Sequence, residues 1–460
     1  MKETDDVLKA APEKAGFLVN RNFALFLIGR MVSLIGDRVF DLTLIVWIAT
    51  IIARRSDGSF ESWAPAAVSG VLVAASVPTV VFAPVAGVFS DRWDKRHTML
   101  VTDALRAILV ASLLLVSGII PLPFFAGGRP PQIVQLSAIY SVVFLSSICS
   151  QFFSPSRLSL IGDIVPDASR ERASALQQGS YAMAQVLGPP LAAPLLITLG
   201  VQWALIINAL SFLVSFATIY AMRIPSAARS VVPGEQGHFW QELREGINFA
   251  FNHPVIRTVM ILLIIATLGT GAVDALIAFF TAQNLHVEVK AVGYLAGSLG
   301  AGTIVGAFMM SIFDKWLRAE RLLSLGAIAA GIVFLLFSRT TSLLSAVILA
   351  FLVGFFLAAT NVSAGPLILR STPRSMLGPV NSIMDPMQML ASLVAVALSG
   401  YLVSTILQNF QQNILGITFG PIDTIFAVSA LLIALGGVYA ALNLRSARKE
   451  VLQQPLSNAK

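Results

Sequence analysis

The sequence predicts an all-α polytopic membrane protein with twelve transmembrane helices in two pseudo-symmetric six-helix bundles. Of its 460 residues, 56% are hydrophobic and only 12% are charged, which is roughly half the charged fraction of a soluble domain. The apolar residues form repeated blocks of about 20 or more, the length that crosses ~30 Å of hydrocarbon as a helix. Two polar motifs of the first half recur in the same order in the second half, which indicates duplication.

The apolar blocks divide the chain into spans and domains. The spans lie near residues 23–52, 64–89, 98–120, 132–156, 174–199, 202–222, 255–281, 291–312, 322–338, 341–368, 377–406 and 421–444. The predicted domains are an N-terminal tail at 1–22, a first bundle at 23–222, a linker at 223–254, a second bundle at 255–444 and a C-terminal tail at 445–460.

The linker contains an amphipathic segment, "HFWQELREGINFAFNHP". Its apolar residues Phe239, Leu243, Ile247 and Ala250 are spaced by four, four and three positions, so they share one face of a helix. This pattern favours a helix lying on the membrane surface over a further span.

The basic residues predict the orientation. Of the 31 Lys and Arg residues, 23 fall in segments on the side of the N-terminus, five on the other side and three within spans. Positive residues concentrate on the cytoplasmic side, which predicts a multi-pass protein of the cell membrane with both termini in the cytoplasm. The same distribution explains the net charge of +7 without a nucleic-acid partner. The N-terminus is too polar for a secretory signal peptide.

The segment "GVFSDRWDKR" is a charged loop between the second and third spans. Its marked residues are Gly87, Asp91, Arg92, Lys95 and Arg96. Basic residues suffice to orient a short cytoplasmic loop, but the acid and the preceding glycine point to pairing with nearby helix ends and to close helix approach. The second half repeats the pattern in "GAFMMSIFDKWLRAER", which carries Asp314.

Ionisable residues within spans are costly and are therefore candidate functional groups. Asp37 and Asp41 are four residues apart on one face of the first span. Two like charges in a medium of low dielectric favour protonation of one of them, which predicts a proton-accepting pair. The alternative is a structural cluster in which Arg38, with Arg30, neutralises the acids.

Four further charged residues lie within the spans. Asp274 lies in the seventh span at about the depth of Asp41, either facing a central cavity or at a solvated outer helix end. Asp103 and Arg106, near the cytoplasmic start of the third span, favour an ion pair that supports the charged loop over substrate contact. Asp385 in the eleventh span favours helix packing or gating. Six polar residues suit either substrate binding or helix association, namely Gln151, Gln178, Gln185, Asn208, Asn361 and Gln388.

The charged loop matches the Gly-x-x-x-Asp-Arg-x-x-Arg/Lys-Arg signature, so the chain resembles the major facilitator superfamily. This resemblance implies a two-bundle transporter in which the loop is a cytoplasmic latch of the outward-facing state. Several stretches look like the branch of enterobactin exporters and macrolide efflux pumps. These are "NRNFALFLIGRMVSLIGDRVF", "DALRAILVASLLL", "FFSPSRLSLIGDIVP", "ALQQGSYAMAQVLGPPLAAPLL" and "HFWQELREGINFAFNHPVIRTVM".

The chain departs from this branch in two spans. Family exporters often carry Gly-Pro-x-x-Gly-Gly in the fifth span, where this chain has Gly188 and Pro189 followed by Ala192 and Ala193. The arginine that many proton antiporters carry in the fourth span is absent from "LSAIYSVVFLSSICSQFF". Proton coupling would therefore use other residues.

The resemblance and the spans together predict a secondary active exporter of an amphipathic organic compound, driven by protons and working by alternating access. An importer or lysophospholipid flippase of the same fold, and a membrane receptor or scaffold, remain alternatives. The sequence contains no phosphate-binding Gly-Lys-Ser/Thr loop and no His or Cys spacing for a metal, so neither an ATP-driven pump, an enzyme, a cofactor nor a metal is expected. The expected partners are a small molecule, protons and the lipid bilayer, and one chain suffices because it contains both bundles.

Overall fold

Nearly all of the chain that the computed structural model describes is helical. The described residues are 19–55, 57, 59–90, 93–118, 123, 130–223, 239–313, 318–373, 376–414 and 417–453. The helices are α1 (Arg21–Trp47), α2 (Ala64–Ser90), α3 (Lys95–Val116), α4 (Gln132–Ile164), α5 (Arg170–Thr198), α6 (Val201–Tyr220), α7 (Phe239–Asn252), α8 (Pro254–Gln283), α9 (Val292–Phe313), α10 (Ala319–Ser338), α11 (Leu343–Ser371), α12 (Leu377–Ser404) and α13 (Pro421–Gln453). A π-helical turn, Ile48–Ile52, extends α1, and the antiparallel strands β1 (Gln412–Ile414) and β2 (Ile417–Phe419) precede α13.

The predicted all-α polytopic fold is confirmed. Among the described residues, ten helices are long and apolar enough to cross a membrane. Two others, α1 and α5, have 27 and 29 residues and are also long enough, but they carry more polar side chains. The predicted total of twelve spans adds these two helices to the ten, and that total stays a prediction.

The helices pack mainly within two groups. In the first bundle, α1 packs against α5 and α6, and α3 packs against α4. In addition, α3 packs against α6, and α4 packs against α2. In the second bundle, α8 packs against α12 and α13, α10 against α11 and α13, and α9 against α11. The two bundles meet along α2 with α12 and along α5 with α9.

The predicted amphipathic segment forms α7, which packs against α8 and α12. Its residue Ala250 is fully buried in an apolar cluster with Ile256 and Val380. This packing fixes the end of the linker to the second bundle. Its predicted place on the membrane surface stays a prediction.

Two helix ends differ from the sequence-based boundaries. Helix α4 continues past Pro155 to Ile164, so Arg157, predicted to lie in a loop, is helical and donates a hydrogen bond of 2.8 Å to Gln177 in α5. Helix α13 continues to Gln453, so the first part of the predicted tail at 445–460 is helical. Hydropathy marks where the apolar stretch stops, whereas helices made of good helix formers continue into the polar region.

One large apolar cluster joins the two bundles at the predicted external end. Phe60, in the loop after α1, lies edge-on to Phe279 in α8, with ring centroids 5.4 Å apart. The backbone N–H of Ala66 donates a 3.0 Å hydrogen bond to Ser404 Oγ in α12. A side chain at Gly400 would overlap Ser69, so α12 and α2 lie in close contact here. The predicted external end is therefore sealed between the bundles.

The apolar clusters at the predicted cytoplasmic end, among the described residues, each belong to one bundle. One contains Phe23, Met99 and Leu160 of the first bundle. Another contains Ile256, Leu323 and Leu444 of the second. Among the described residues, apolar packing joins the bundles at the predicted external end and lies within each bundle at the predicted cytoplasmic end, so this conformation is closed on the predicted external side.

Candidate functional site

A cavity of about 240 Å³ lies within the first bundle, bordered by α1, α2, α3, α4 and α6. Four charged residues that the sequence singled out line it: Asp37, Arg38, Asp41 and Arg106. Hydroxyl and amide side chains form much of the remaining wall, namely Thr79, Ser146, Ser147, Ser150, Gln151 and Asn208. The cavity is therefore a polar site inside an otherwise apolar bundle.

The two acids of α1 differ in their contacts with cations. Arg38 Nη1 lies 3.2 Å from Asp41 Oδ2, and 53% of the Asp41 side chain is exposed although it lies well inside a membrane helix. Asp37 lies one turn earlier on the same cavity wall and, among the described residues, has no ion pair within hydrogen-bonding distance. Its electrostatic neighbours are Arg106, Arg30 and Arg38. Arg38 thus neutralises Asp41 directly, whereas Asp37 is surrounded by cations at longer range.

Asp274 brings a charge from the second bundle towards this cluster. It lies 20 residues after the first residue of α8, the same depth that Asp41 has in α1. Its side chain is exposed and interacts electrostatically with Arg38 and Asp41. The structure therefore places Asp274 with the α1 acids, nine residues before the end of its helix, and not at a solvated helix end.

Asp103 and Arg106 form a 2.8 Å ion pair whose side chains are 0% and 4% exposed. The guanidinium carbon of Arg106 lies 4.2 Å from the ring centroid of Phe212 and 5.2 Å from that of Phe153. The ion pair that their spacing predicts is present, and its support of the charged loop stays a prediction. Because α3 begins at Lys95, three residues before the predicted start, Arg106 is the twelfth of its 22 residues and reaches the cavity wall.

Two basic residues of the charged loop, Lys95 and Arg96, bind elements of their own bundle. Lys95 Nζ lies 2.8 Å from Asp163 Oδ2 at the end of α4. Arg96 donates to the backbone carbonyls of Ile219 and Tyr220 at the end of α6, where a cation complements the helix dipole. These contacts tie the start of α3 to two neighbouring helix ends. Gly87 lies in α2, while Asp91, Arg92 and Asp314 lie outside the described residues.

Gly188 in the fifth span lies directly beside Arg38, a member of the charged group on α1. A side chain at Gly188 in α5 would overlap the side chain of Arg38, so α1 and α5 approach closely at this point. Pro189 lies in α5 and Asp385 in α12, and their side chains lie outside what the structure describes.

We expect Gly188→Val to displace Arg38 from Asp41 and to destabilise the protein by about 1–3 kcal/mol through overpacking. Gly179→Val is a matched control, because a side chain at Gly179 in the same helix would meet nothing within 4 Å. Thermal unfolding of both purified variants measures the difference. Equal melting temperatures would contradict the close contact of α1 and α5.

Sequence reasoning missed several polar residues of the site. The serines of α4 and Thr79 in α2 drew no attention, because single hydroxyl groups are common in membrane helices. Their spacing was the available signal, since Ser146 and Ser150, like Ser147 and Gln151, are four residues apart on α4. Ser147 donates to the carbonyl of Ala75 at 2.6 Å, which joins α4 to α2. Among the described residues, no group of three or more His, Cys, Asp and Glu could hold a metal.

The apolar helices, packed mainly within two groups, and the charged cavity agree with the fold of major facilitator transporters. A family model described as "Transmembrane secretion effector" matches residues 18–371. The chain belongs to this family of the major facilitator superfamily, which confirms the resemblance found in the sequence.

Relatives and solved structures agree with this family. The MFS-type transporter YkuC of Bacillus subtilis (strain 168) is 23% identical over 412 residues, which cover 86% of this chain and 87% of that protein. Macrolide efflux protein A of Streptococcus pyogenes is 23% identical over 288 residues, 61% of this chain and 65% of that protein. The crystal structure of a bacterial homologue of the iron transporter ferroportin in an inward-facing state has a TM-score of 0.70 at 13% identity and covers 91% of this chain and 98% of its own.

Proposed function

We propose that this transporter is a proton-coupled exporter of amphipathic organic compounds that works by alternating access. The observation that carries the proposal is the group of Asp37, Arg38 and Asp41 on one cavity wall, with Asp274 approaching from the other bundle. Charges within membrane spans are costly, so those that face a cavity usually mark substrate or ion pathways.

The proposed coupling depends on competition for the acids. Arg38 holds Asp41, so the proton or a cationic group of the substrate would be taken up by Asp37 or Asp274, which lie close to the same arginine. Binding of one positive charge disfavours binding of the next, because the charges interact strongly in a medium of low dielectric. Mutually exclusive binding of proton and substrate is the requirement for antiport.

The proposed substrate class follows from the lining of the cavity, which contains both polar and apolar side chains. Phe40, Val110, Val143 and Phe212 line the cavity together with its charged and hydroxyl groups. A compound with both apolar and polar parts complements such a surface. The efflux direction is supported by the relative that is named a macrolide efflux protein.

The alternating step is supported by the sealed external end. The bundles meet there through Ala66 with Ser404 and through Phe60 with Phe279, and these contacts lie far from the cytoplasmic clusters. Rocking of two bundles about a mid-depth site would open one end as the other closes. We further propose that both termini are cytoplasmic in the cell membrane and that one chain is the working unit.

We expect Asp37→Asn and Asp41→Asn each to lower proton-driven efflux at least about tenfold, which corresponds to ~1.4 kcal/mol in the transport barrier. The assay loads cells with a panel of fluorescent and antibiotic compounds, with and without a protonophore, at equal membrane abundance. Asp167→Asn is the control acid, because the Asp167 side chain lies 85% exposed before α5.

Unchanged proton dependence in both variants would remove the α1 acids from coupling. Vesicles of known orientation decide the direction. If vesicles that keep the cellular orientation take up the compound, the protein is an importer and the proposed export is wrong. Movement of labelled lysophospholipid between leaflets would favour the flippase alternative.

A further inference from the structure

Arg157 in α4 is a half-buried cation whose partner is a neutral side chain. It donates a 2.8 Å hydrogen bond to Gln177 in α5, and no described carboxylate pairs with it. Its Nε is buried without a hydrogen-bond partner among the described residues. By contrast, Arg38 and Arg106 each form an ion pair with an aspartate of their own helix. Arg157 therefore keeps an unused donor and a charge that no acid compensates.

A second arginine adds positive charge at the same place. Arg30 in α1 interacts electrostatically with Arg157, and the acid that acts on it most strongly is Asp37. The guanidinium carbon of Arg30 lies 5.5 Å from the ring centroid of Phe153, one turn before Arg157 on α4. Two like charges repel strongly where the dielectric constant is low. An anion close to both guanidinium groups would offset this repulsion and could accept from the buried Nε.

Arg157 and Gln177 lie on the half of the first bundle that is opposite the external seal. Arg157 is seven residues before the end of α4, and Gln177 is seven residues after the first residue of α5. At ~1.5 Å per residue, both are ~10 Å from the predicted cytoplasmic ends of their helices. The described apolar clusters at this end lie within single bundles and do not join them.

One face of α5 connects this region to the charged group of α1. Gln177, Tyr181 and Gly188 are separated by four and seven positions, so they share that face. Tyr181 interacts electrostatically with Arg38, and Gly188 lies directly against the Arg38 side chain. Arg157 therefore lies at one end of a line of contacts along α5, and the charged group of α1 lies at the other.

We propose that Arg157, positioned by Gln177 and assisted by Arg30, binds an acidic group of the transported compound, either a carboxylate or a phosphate. A guanidinium group presents its N–H donors in a fixed fork that matches the oxygens of such a group, and these charge-assisted bonds are stronger than neutral ones. The inference rests on the proposed function in taking the ligand to be the substrate. It narrows the substrate class from amphipathic compounds in general to amphipathic acids and zwitterions.

Binding of two matched fluorescent probes to the purified, detergent-solubilised full-length protein tests the proposal. The probes are dansylaminoundecanoic acid and its N-methyl amide, which differ in the charge of the head group. In slightly alkaline buffer, we expect the acid to bind at least about tenfold more tightly than the amide, which corresponds to ~1.4 kcal/mol. Equal affinities for the two probes, or binding of neither, would overturn the proposal.

Variants of the same protein identify the residue responsible. Arg157→Gln should lower the affinity for the acid at least about tenfold and leave the affinity for the amide unchanged. Arg157→Lys should retain part of the preference, because it keeps the charge and loses the fork. Arg170→Gln is the matched control, since Arg170 is an exposed cation at the start of α5. An unchanged preference for the acid in folded Arg157→Gln would overturn the assignment.

A variant of the positioning residue covers the case in which Arg157→Gln does not fold. Gln177→Leu removes the hydrogen bond that orients Arg157 and should lower the affinity for the acid at least about threefold, with no change for the amide. Equal affinities of this variant and the wild type for the acid would count against the site.

The binding test requires no proton gradient, so its outcome is separate from that of the efflux assays. Tight binding of the acid together with efflux that ignores the protonophore would keep the site and remove proton coupling. Proton-driven efflux together with equal binding of the two probes would keep the exporter and remove the site.

Discussion

Oxidation of the double variant Ala66→Cys/Ser404→Cys is expected to lower its transport rate to below about 1% of the rate of the reduced protein. Transport requires two conformations, and the disulfide would hold the protein in one of them. The backbone nitrogen of Ala66 lies 3.0 Å from Ser404 Oγ, so the two positions adjoin across the bundle interface. A disulfide there would hold the external seal closed. Efflux of a compound identified in the panel, measured before and after oxidation and again after reduction, provides the readout.

A second disulfide controls for the chemistry itself. Ile265→Cys/Gly436→Cys joins α8 to α13 within one bundle, where a Cβ at Gly436 would lie 3.5 Å from the Cβ of Ile265, at the short end of the disulfide range. Rocking as rigid bodies leaves this distance unchanged, so transport should persist. The native Cys149, half-buried in α4, is replaced by serine in both backgrounds. Equal transport by the oxidised and reduced Ala66→Cys/Ser404→Cys protein would rule out bundle separation at this end.

Removing one member of the buried ion pair is expected to give the largest loss of stability. Arg106→Met leaves the Asp103 carboxylate, which is 0% exposed, without its cation. Breaking a buried pair in this way costs about 3–5 kcal/mol in the free energy of unfolding. Arg106→Met also removes the cation that lies over Phe212. Denaturant titration of the detergent-solubilised protein measures the change.

Two comparison variants separate the cost of an unpaired buried charge from a loss of stability caused by altered packing. Arg170→Met removes the cation of an exposed pair with Asp167 and should cost no more than about 1 kcal/mol. The double variant Asp103→Leu/Arg106→Met removes both charges and should recover much of the lost stability. A double variant as unstable as Arg106→Met alone would show that packing, and not the unpaired carboxylate, dominates the loss.

The local chemistry of the chain was sufficient to locate the helices. Spans predicted near 64–89 and 291–312 became α2 and α9 within a few residues, because long apolar segments in a membrane must satisfy their backbone hydrogen bonds internally. The spacing of four between Asp37 and Asp41 also placed both acids on one cavity wall. Periodicity along one helix determines which residues share a face, and no distant contact is needed for that inference.

Composition and the neighbours within one helix were sufficient to predict the class of protein, the helices and the candidate charges. The contacts between different helices came from the tertiary structure alone. That structure placed Arg106 on the cavity wall beside residues of α4 and α6 and brought Asp163 to Lys95. These contacts join residues of different helices or depend on helix depth and rotation. Depth and rotation are set by side-chain packing across the whole bundle, which hydropathy and spacing along one segment do not encode.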